Sequence, residues 1–201
     1  MVLYSGAVCP NSHRVRFVLA EKDISIEVRT VDPAHLPEEV LELSPYQELP
    51  VLVDRGLVLH QADIIMEYLD ERFPHPPLMP VDPVNRAQAR LMLRRMARDW
   101  YPLVTQAFDA PRREAQDARN RLRDGLTSIA PLFQQHEYVF GEALTLVDCT
   151  LAPLLWRMPP LGITLPSSAK AMLRYAQRLF ERPGFLTGLT EREIELHASP
   201  A

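Results

Sequence analysis

Along the first 73 residues the spacing of apolar positions switches repeatedly between the period of a strand and that of a helix. Residues 2–5 read as a short strand. From residue 10 to 22, Val15, Val18 and Leu19 fall at i, i+3 and i+4, one face of a helix. Ile24, Ile26 and Val28 alternate with polar neighbours, so 24–31 is predicted as a strand. Residues 36–43 predict a short helix or turn. Val51-Leu52-Val53 and Leu57-Val58-Leu59 flank Asp54-Arg55-Gly56, the pattern of a hairpin. Ile64, Ile65, Tyr68 and Leu69 then share one face of a helix over 64–72. The order β-α-β-α-β-β-α implies a small mixed sheet with helices on both sides.

After Pro83 no strand signal survives. A long helix over 84–108 is predicted to bend near Pro102, and another spans 112–135 with an interruption near Pro131. The apolar run 146–158 reads as a buried central helix. Thr145-Leu146-Val147-Asp148 stands before it as a capping box, with Leu144 placed as the preceding staple. Residues 167–182 carry Met172, Tyr175, Leu179 and Phe180 on one side, and 190–196 predict a short last helix. Between the halves lies Pro74-His75-Pro76-Pro77-Leu78-Met79-Pro80-Val81-Asp82-Pro83, rich in prolines around a single histidine. Proline fixes φ and lacks a backbone donor, so this run is neither helix nor central strand. It reads as a stiff connector that presents an imidazole. The predicted organisation is α+β in two domains: a thioredoxin-like domain over 1–73, a Pro-rich linker over 74–83 and an all-helical domain over 84–201.

A chain of 201 residues can bury one sizeable core or two small ones. Its formal net charge of -4 gives no general drive toward nucleic acid or anionic membrane, and neither is expected as a partner. No apolar run reaches the roughly 18 residues of a membrane helix. The N-terminus enters a strand with no signal-peptide pattern. Cys9 and Cys149 lie far apart and form no disulfide framework. A cytoplasmic protein with reduced thiols is expected. Of the 22 cationic residues only Lys22 and Lys170 are lysines. Arginine forks suit carboxylate and phosphate partners, although a genome-wide compositional bias is the plainer account.

Cys9-Pro10-Asn11-Ser12 sits between the first strand and the first helix. Pro10 suits a first helical turn. A cysteine there meets unpaired N–H groups and the positive end of the helix dipole, which favour thiolate, and Ser12 is placed to donate a further hydrogen bond. With no second cysteine three positions on, a two-cysteine oxidoreductase is excluded; an inert small residue and a reactive thiol are the remaining readings. Leu49-Pro50 precedes a strand, where a thioredoxin-like domain carries a cis-proline that exposes backbone for a peptide-like ligand. Gln61-Ala62-Asp63 opens a helix whose free N–H groups suit a carboxylate. Arg86, Arg90, Arg94 and Arg98 line one helical face with Arg95 beside them. They form a solvated or dimer-facing stripe, or a docking face for an acidic partner or a phosphorylated nucleotide. The histidines show no metal-ligand spacing, and no Gly-rich phosphate loop occurs.

These features together resemble the cytosolic glutathione transferase family over essentially the whole chain. Several stretches are similar to a branch of that fold associated with RNA polymerase, the stringent starvation protein A family. They are Val18-Leu19-Ala20-Glu21-Lys22, the run from Ile64 to Pro80, Asp99-Trp100-Tyr101, Leu146-Val147-Asp148-Cys149, and Leu151-Ala152-Pro153-Leu154-Leu155-Trp156-Arg157. The resemblance implies a homodimer that binds RNA polymerase holoenzyme and alters promoter use under starvation or stress, without transferase activity or a required cofactor. It implies that Pro74, His75 and Pro76, with Phe73 and Leu78, form a partner-binding surface. Asp82 stands where the resemblance leads one to expect a tyrosine.

The same resemblance implies a vestigial glutathione site at Cys9, Glu48, Leu49, Pro50, Gln61 and Ala62. Glutathione-binding relatives hold the γ-glutamyl carboxylate with a serine hydroxyl at the position of Ala62, and often carry a lysine where Glu48 stands. Losing a hydrogen bond to a charged group costs about 1.5–3 kcal/mol, tenfold to a hundredfold in affinity. Glutathione is therefore expected to bind weakly or not at all. Cys9-Pro10 resembles the nucleophile motif of omega-class members, so the alternative is a glutathione-dependent thiol transferase using Cys9.

Overall fold

The structure is a computed structural model describing residues 1–198. Residues 199–201, the end of the expected helical domain, lie outside the described residues. The chain forms two compact units, one of Met1–Pro76 with Pro183–Ile194 and one of Pro77–Arg182 with the chain from Glu195 on.

The first unit is built on a four-stranded mixed sheet of order β2-β1-β3-β4. Strand β1 (Val2–Gly6) runs parallel to β2 (Glu27–Val31) and antiparallel to β3 (Val51–Asp54), and β3 pairs antiparallel with β4 (Leu57–His60). Register sets Leu3 opposite Leu52 and Tyr4 opposite Val51. Side chains alternate across a strand, so these pairs lie on opposite faces, and both are buried. Tyr4 and Val51 cluster with Val31, Leu49 and Val40, the last from helix α2 (Glu38–Leu43). Helix α1 (Pro10–Glu21) packs against α3 (Ala62–Arg72) and against α9 (Pro183–Gly188), a helix the periodicity does not indicate. Strand β2 begins three residues later than the alternation predicts. It is an edge strand paired only with β1, its first four residues are exposed, and Ile24 N instead donates to Leu19 O at 2.8 Å.

The second unit is helical. Helix α4 (Pro83–Asp99) starts at Asp82, whose carboxylate accepts from Asn85 N at 2.7 Å, so the residue standing in a tyrosine's place serves as an N-cap. The single helix predicted over 84–108 is two helices, α4 and α5 (Tyr101–Asp109), joined at Trp100 with φ -111 and ψ -40. Pro102 has no N–H for the Arg98 carbonyl, which breaks the ladder there. Trp100 lies against α6 (Arg112–Ile129) at Gly125, where an added Cβ would sit 2.7 Å from the indole nitrogen. The stretch predicted to run to 135 turns into a 3-10 helix at Ala130–Gln134, around Pro131. Helix α7 (Leu146–Trp156) is buried along nearly its whole length, and its predicted capping box is present. Asp148 accepts from Thr145 N and Oγ1 at 2.8 Å, Val139 N at 3.0 Å and Tyr175 OH at 2.7 Å. Tyr175 belongs to α8 (Lys170–Phe180). Burial pushes the Asp148 carboxyl up, against the pull of those four donors. The short last helix is α10 (Glu191–Ala198).

Candidate functional site

Two places in the first unit gather the residues singled out from sequence. The first is the corner where α1 and α3 begin. Cys9 precedes α1 with an extended backbone (φ -73, ψ 119), and its carbonyl accepts from His13 N at 3.0 Å. Its half-exposed thiol lies 3.8 Å from the Leu49 carbonyl oxygen. That carbonyl precedes Pro50 across a cis peptide, as expected from the thioredoxin-like order. Ser12 is fully buried, and its Oγ accepts from Gly6 N at 3.0 Å, which ties α1 to the end of β1. The Ser12 hydroxyl thus serves the join of β1 and α1 as an acceptor, and its own O–H is a separate donor.

Gln61 occupies the N-cap position of α3 with φ 77 and ψ 110. A non-glycine residue held in that half of the map stores about 1–3 kcal/mol of strain. Its Nε2 donates to Glu48 Oε2 at 3.3 Å, so two of the expected ligand-binding side chains contact each other. Ala62 is buried at the start of α3 and offers no hydroxyl. A cavity of about 440 Å³ opens beside Cys9, lined by Gly6, Val31, Asp32 and Arg192 among others. The His35 side chain, with Ala34 N, holds the Asp32 carboxyl below the usual range.

The second place is the edge after α3. Phe73 is half-buried, and Pro74, His75 and Pro76 are exposed. The His75–Pro76 peptide is also cis, which the sequence reading did not include. A cavity of about 560 Å³ lies against Phe73 and His75. Ile24 and Ile26 line it, and Asp23 and Glu27 add carboxylates. The Arg72 guanidinium sits 5.5 Å from the centre of the Phe73 ring. Leu78 departs from the expected surface. It is 3% exposed, and its carbonyl accepts from Leu146 N at 2.8 Å. An apolar side chain in a proline run is drawn into a core, so the exposed edge stops short of it.

The residue that sequence reasoning missed is Lys22. Its side chain is fully buried, and Nζ donates to Asp70 Oδ1 at 2.7 Å and to the Pro76 carbonyl at 2.6 Å. A lysine in a chain whose cations are almost all arginine was the available signal. The arginine stripe on α4 is partly engaged locally: Arg86 donates to Pro80 O at 2.9 Å, Arg98 pairs with Asp99 at 2.7 Å, and Arg95 lies 5.8 Å from the Trp100 ring. Among the described residues no group of three His, Cys, Asp or Glu is placed to hold a metal ion, and no helix is long and apolar enough to cross a membrane.

Comparison with known proteins places these features in a family. Residues 3–77 match the model of the glutathione S-transferase N-terminal domain, and residues 91–183 that of the C-terminal domain. The stringent starvation protein A homolog of Coxiella burnetii is 46% identical over 197 residues, covering 98% of this chain and 94% of that protein. The homolog of Pasteurella multocida is 48% identical over 190 residues, covering 94% and 90%. The crystal structure of glutathione transferase Omega 3C from Trametes versicolor superposes with a TM-score of 0.82 at 26% identity, covering 98% of this chain and 88% of that one. Near-full-length identity at this level, on a thioredoxin-like unit and a helical unit, means that the chain belongs to the stringent starvation protein A family of the glutathione S-transferase fold.

Proposed function

We propose that this protein is a cytoplasmic, homodimeric transcription regulator that binds RNA polymerase holoenzyme and changes promoter use under starvation, and that it acts by protein contact without turnover. The observation that carries the reading is the edge at residues 73–76. It presents a half-buried aromatic ring, two exposed prolines and an exposed imidazole beside a cavity, on a backbone held by a buried lysine. Rigid side chains on a fixed backbone lose little conformational entropy on binding, which favours a protein-recognition surface. The relatives at 46% and 48% identity carry the stringent starvation protein A name, which supports the same reading.

The test is co-purification. Tagged protein from stationary-phase cells is expected to bring down RNA polymerase, and Phe73→Ala/His75→Ala to reduce that recovery at least tenfold. Full recovery by the double variant would remove the edge from the proposal.

A second reading has its own observation. Cys9 lies half-exposed at the start of α1, 3.8 Å from the backbone carbonyl before the cis-proline, on a fold similar to an omega-class transferase. That is where a thiol transferase would hold a mixed disulfide with glutathione. The Glu48–Gln61 contact and the missing hydroxyl at Ala62 weigh against it.

A further inference from the structure

Lys22 ends the helix that starts at Cys9, yet its ammonium group serves the opposite end of the unit. Asp70 lies in the last turns of α3, and Phe73 N donates to Leu69 O to close that helix. Pro76 lies just after the exposed imidazole. The buried Nζ of Lys22 therefore bridges the point where the chain leaves α3 and the point where the exposed edge ends. Between those two anchors the chain has room for little but the exposed residues themselves.

We infer that Lys22 is a positioning residue for the recognition edge: its ammonium, fixed by Asp70, holds the Pro76 carbonyl and so sets how Phe73 and His75 are presented. The inference rests on the reading of residues 73–76 as the partner-binding edge. The chemistry supports a role beyond general stability. Lysine is the residue that can give separate donors to a carboxylate and a carbonyl from one compact charge. The Pro76 ring is exposed, but its carbonyl meets the fully buried Lys22 ammonium. The bond thus fixes a backbone group that directly follows the exposed imidazole. Lys22 is also among the residues around the cavity that lies against Phe73 and His75.

Removing Lys22 alone would strip this cation from the buried Asp70 and destabilise the unit. The informative variant is Lys22→Met/Asp70→Asn, which removes both charges of the pair together. Full-length protein is used, with binding of RNA polymerase holoenzyme and the melting temperature measured on each variant. The expected result is a melting temperature within a few degrees of the parent and holoenzyme affinity at least tenfold weaker. Adding Phe73→Ala/His75→Ala to that variant is expected to weaken binding by much less than the edge variant does alone, because a positioning residue acts through the side chains it presents. Parent-like affinity for Lys22→Met/Asp70→Asn, alongside lost binding for Phe73→Ala/His75→Ala, would overturn the inference and leave the reading of the edge standing. Full additivity of the two losses would also overturn it. Parent-like affinity for Phe73→Ala/His75→Ala would overturn the reading of the edge and the inference with it.

Discussion

The corner at the starts of α1 and α3 and the edge at the end of α3 belong to the same unit, and they treat their functional groups in opposite ways. At the corner several side chains make contacts within the unit. Ser12 accepts from a backbone amide, Gln61 donates to Glu48, and Ala62 has nothing to offer. At the edge the backbone is occupied and the side chains are not buried with it. Lys22 holds the Pro76 carbonyl while Pro74 and His75 stay in solvent. A small-molecule site needs convergent polar groups free to meet a ligand, whereas a protein-recognition edge needs exposed side chains on a backbone that does not move. At the corner, Gln61 and Glu48 meet each other and Ala62 adds no polar group. The edge pairs exposed side chains with a carbonyl anchored by Lys22, as the proposed docking role requires.

The strongest way to break this comparison is to release the edge at its anchor. Asp70→Ala leaves the Lys22 ammonium buried without its carboxylate, and stripping one member from a buried pair costs about 3–5 kcal/mol. Chemical denaturation is expected to show a loss of that size. A loss below about 1 kcal/mol would mean that the pair does not anchor the chain.

Most of this architecture was legible in the sequence, because it rests on local rules. The helical face of Val15, Val18 and Leu19, the hairpin around Asp54-Arg55-Gly56 and the capping box at Thr145 and Asp148 all follow from spacing and side-chain chemistry within a few residues. The cis bond at Leu49–Pro50 followed from the order of elements around it. What could not be read depends on distant partners. Lys22 reaches Asp70 and Pro76 across about fifty residues of chain. Residues 183–194 belong with the first unit, and the pattern of apolar positions shows neither that membership nor the helix at Pro183–Gly188. The resemblance puts Leu78 on the surface, and only packing of the folded chain shows it buried. The split of the predicted 84–108 helix was foreseen as a bend at Pro102 and underestimated, since the missing amide combines with the Trp100 side chain seated on Gly125.

The corner can be tested by rebuilding what it lacks. Glu48→Lys/Ala62→Ser places a cation where the carboxylate stands and restores a hydroxyl at the start of α3. It also removes the carboxylate that engages Gln61 Nε2. Each recovered charge-assisted hydrogen bond contributes about 1.5–3 kcal/mol. Isothermal titration calorimetry is expected to show glutathione binding at least tenfold to a hundredfold tighter than the parent's. Affinity equal to the parent's would show that the geometry of the corner, and not its missing groups, sets the limit.

The smallest expected effect is the one that separates the two regions most directly. Cys9→Ala removes the thiol while leaving the N-terminal turn of α1 intact, because the capping contact there comes from the backbone carbonyl to His13 N and the side chain makes no cap. The thiol's 3.8 Å approach to Leu49 O is too long and too weakly polar to hold the cis-proline loop by itself. Stability is expected to change by less than about 1 kcal/mol, as for a partly exposed small side chain. Recovery of RNA polymerase is expected to stay within about twofold of the parent's, since a docking edge at residues 73–76 does not use the thiol. A tenfold loss on Cys9→Ala would join the two regions into one site, and glutathione-dependent thiol transfer abolished by the same change would establish the corner as chemically active in its own right.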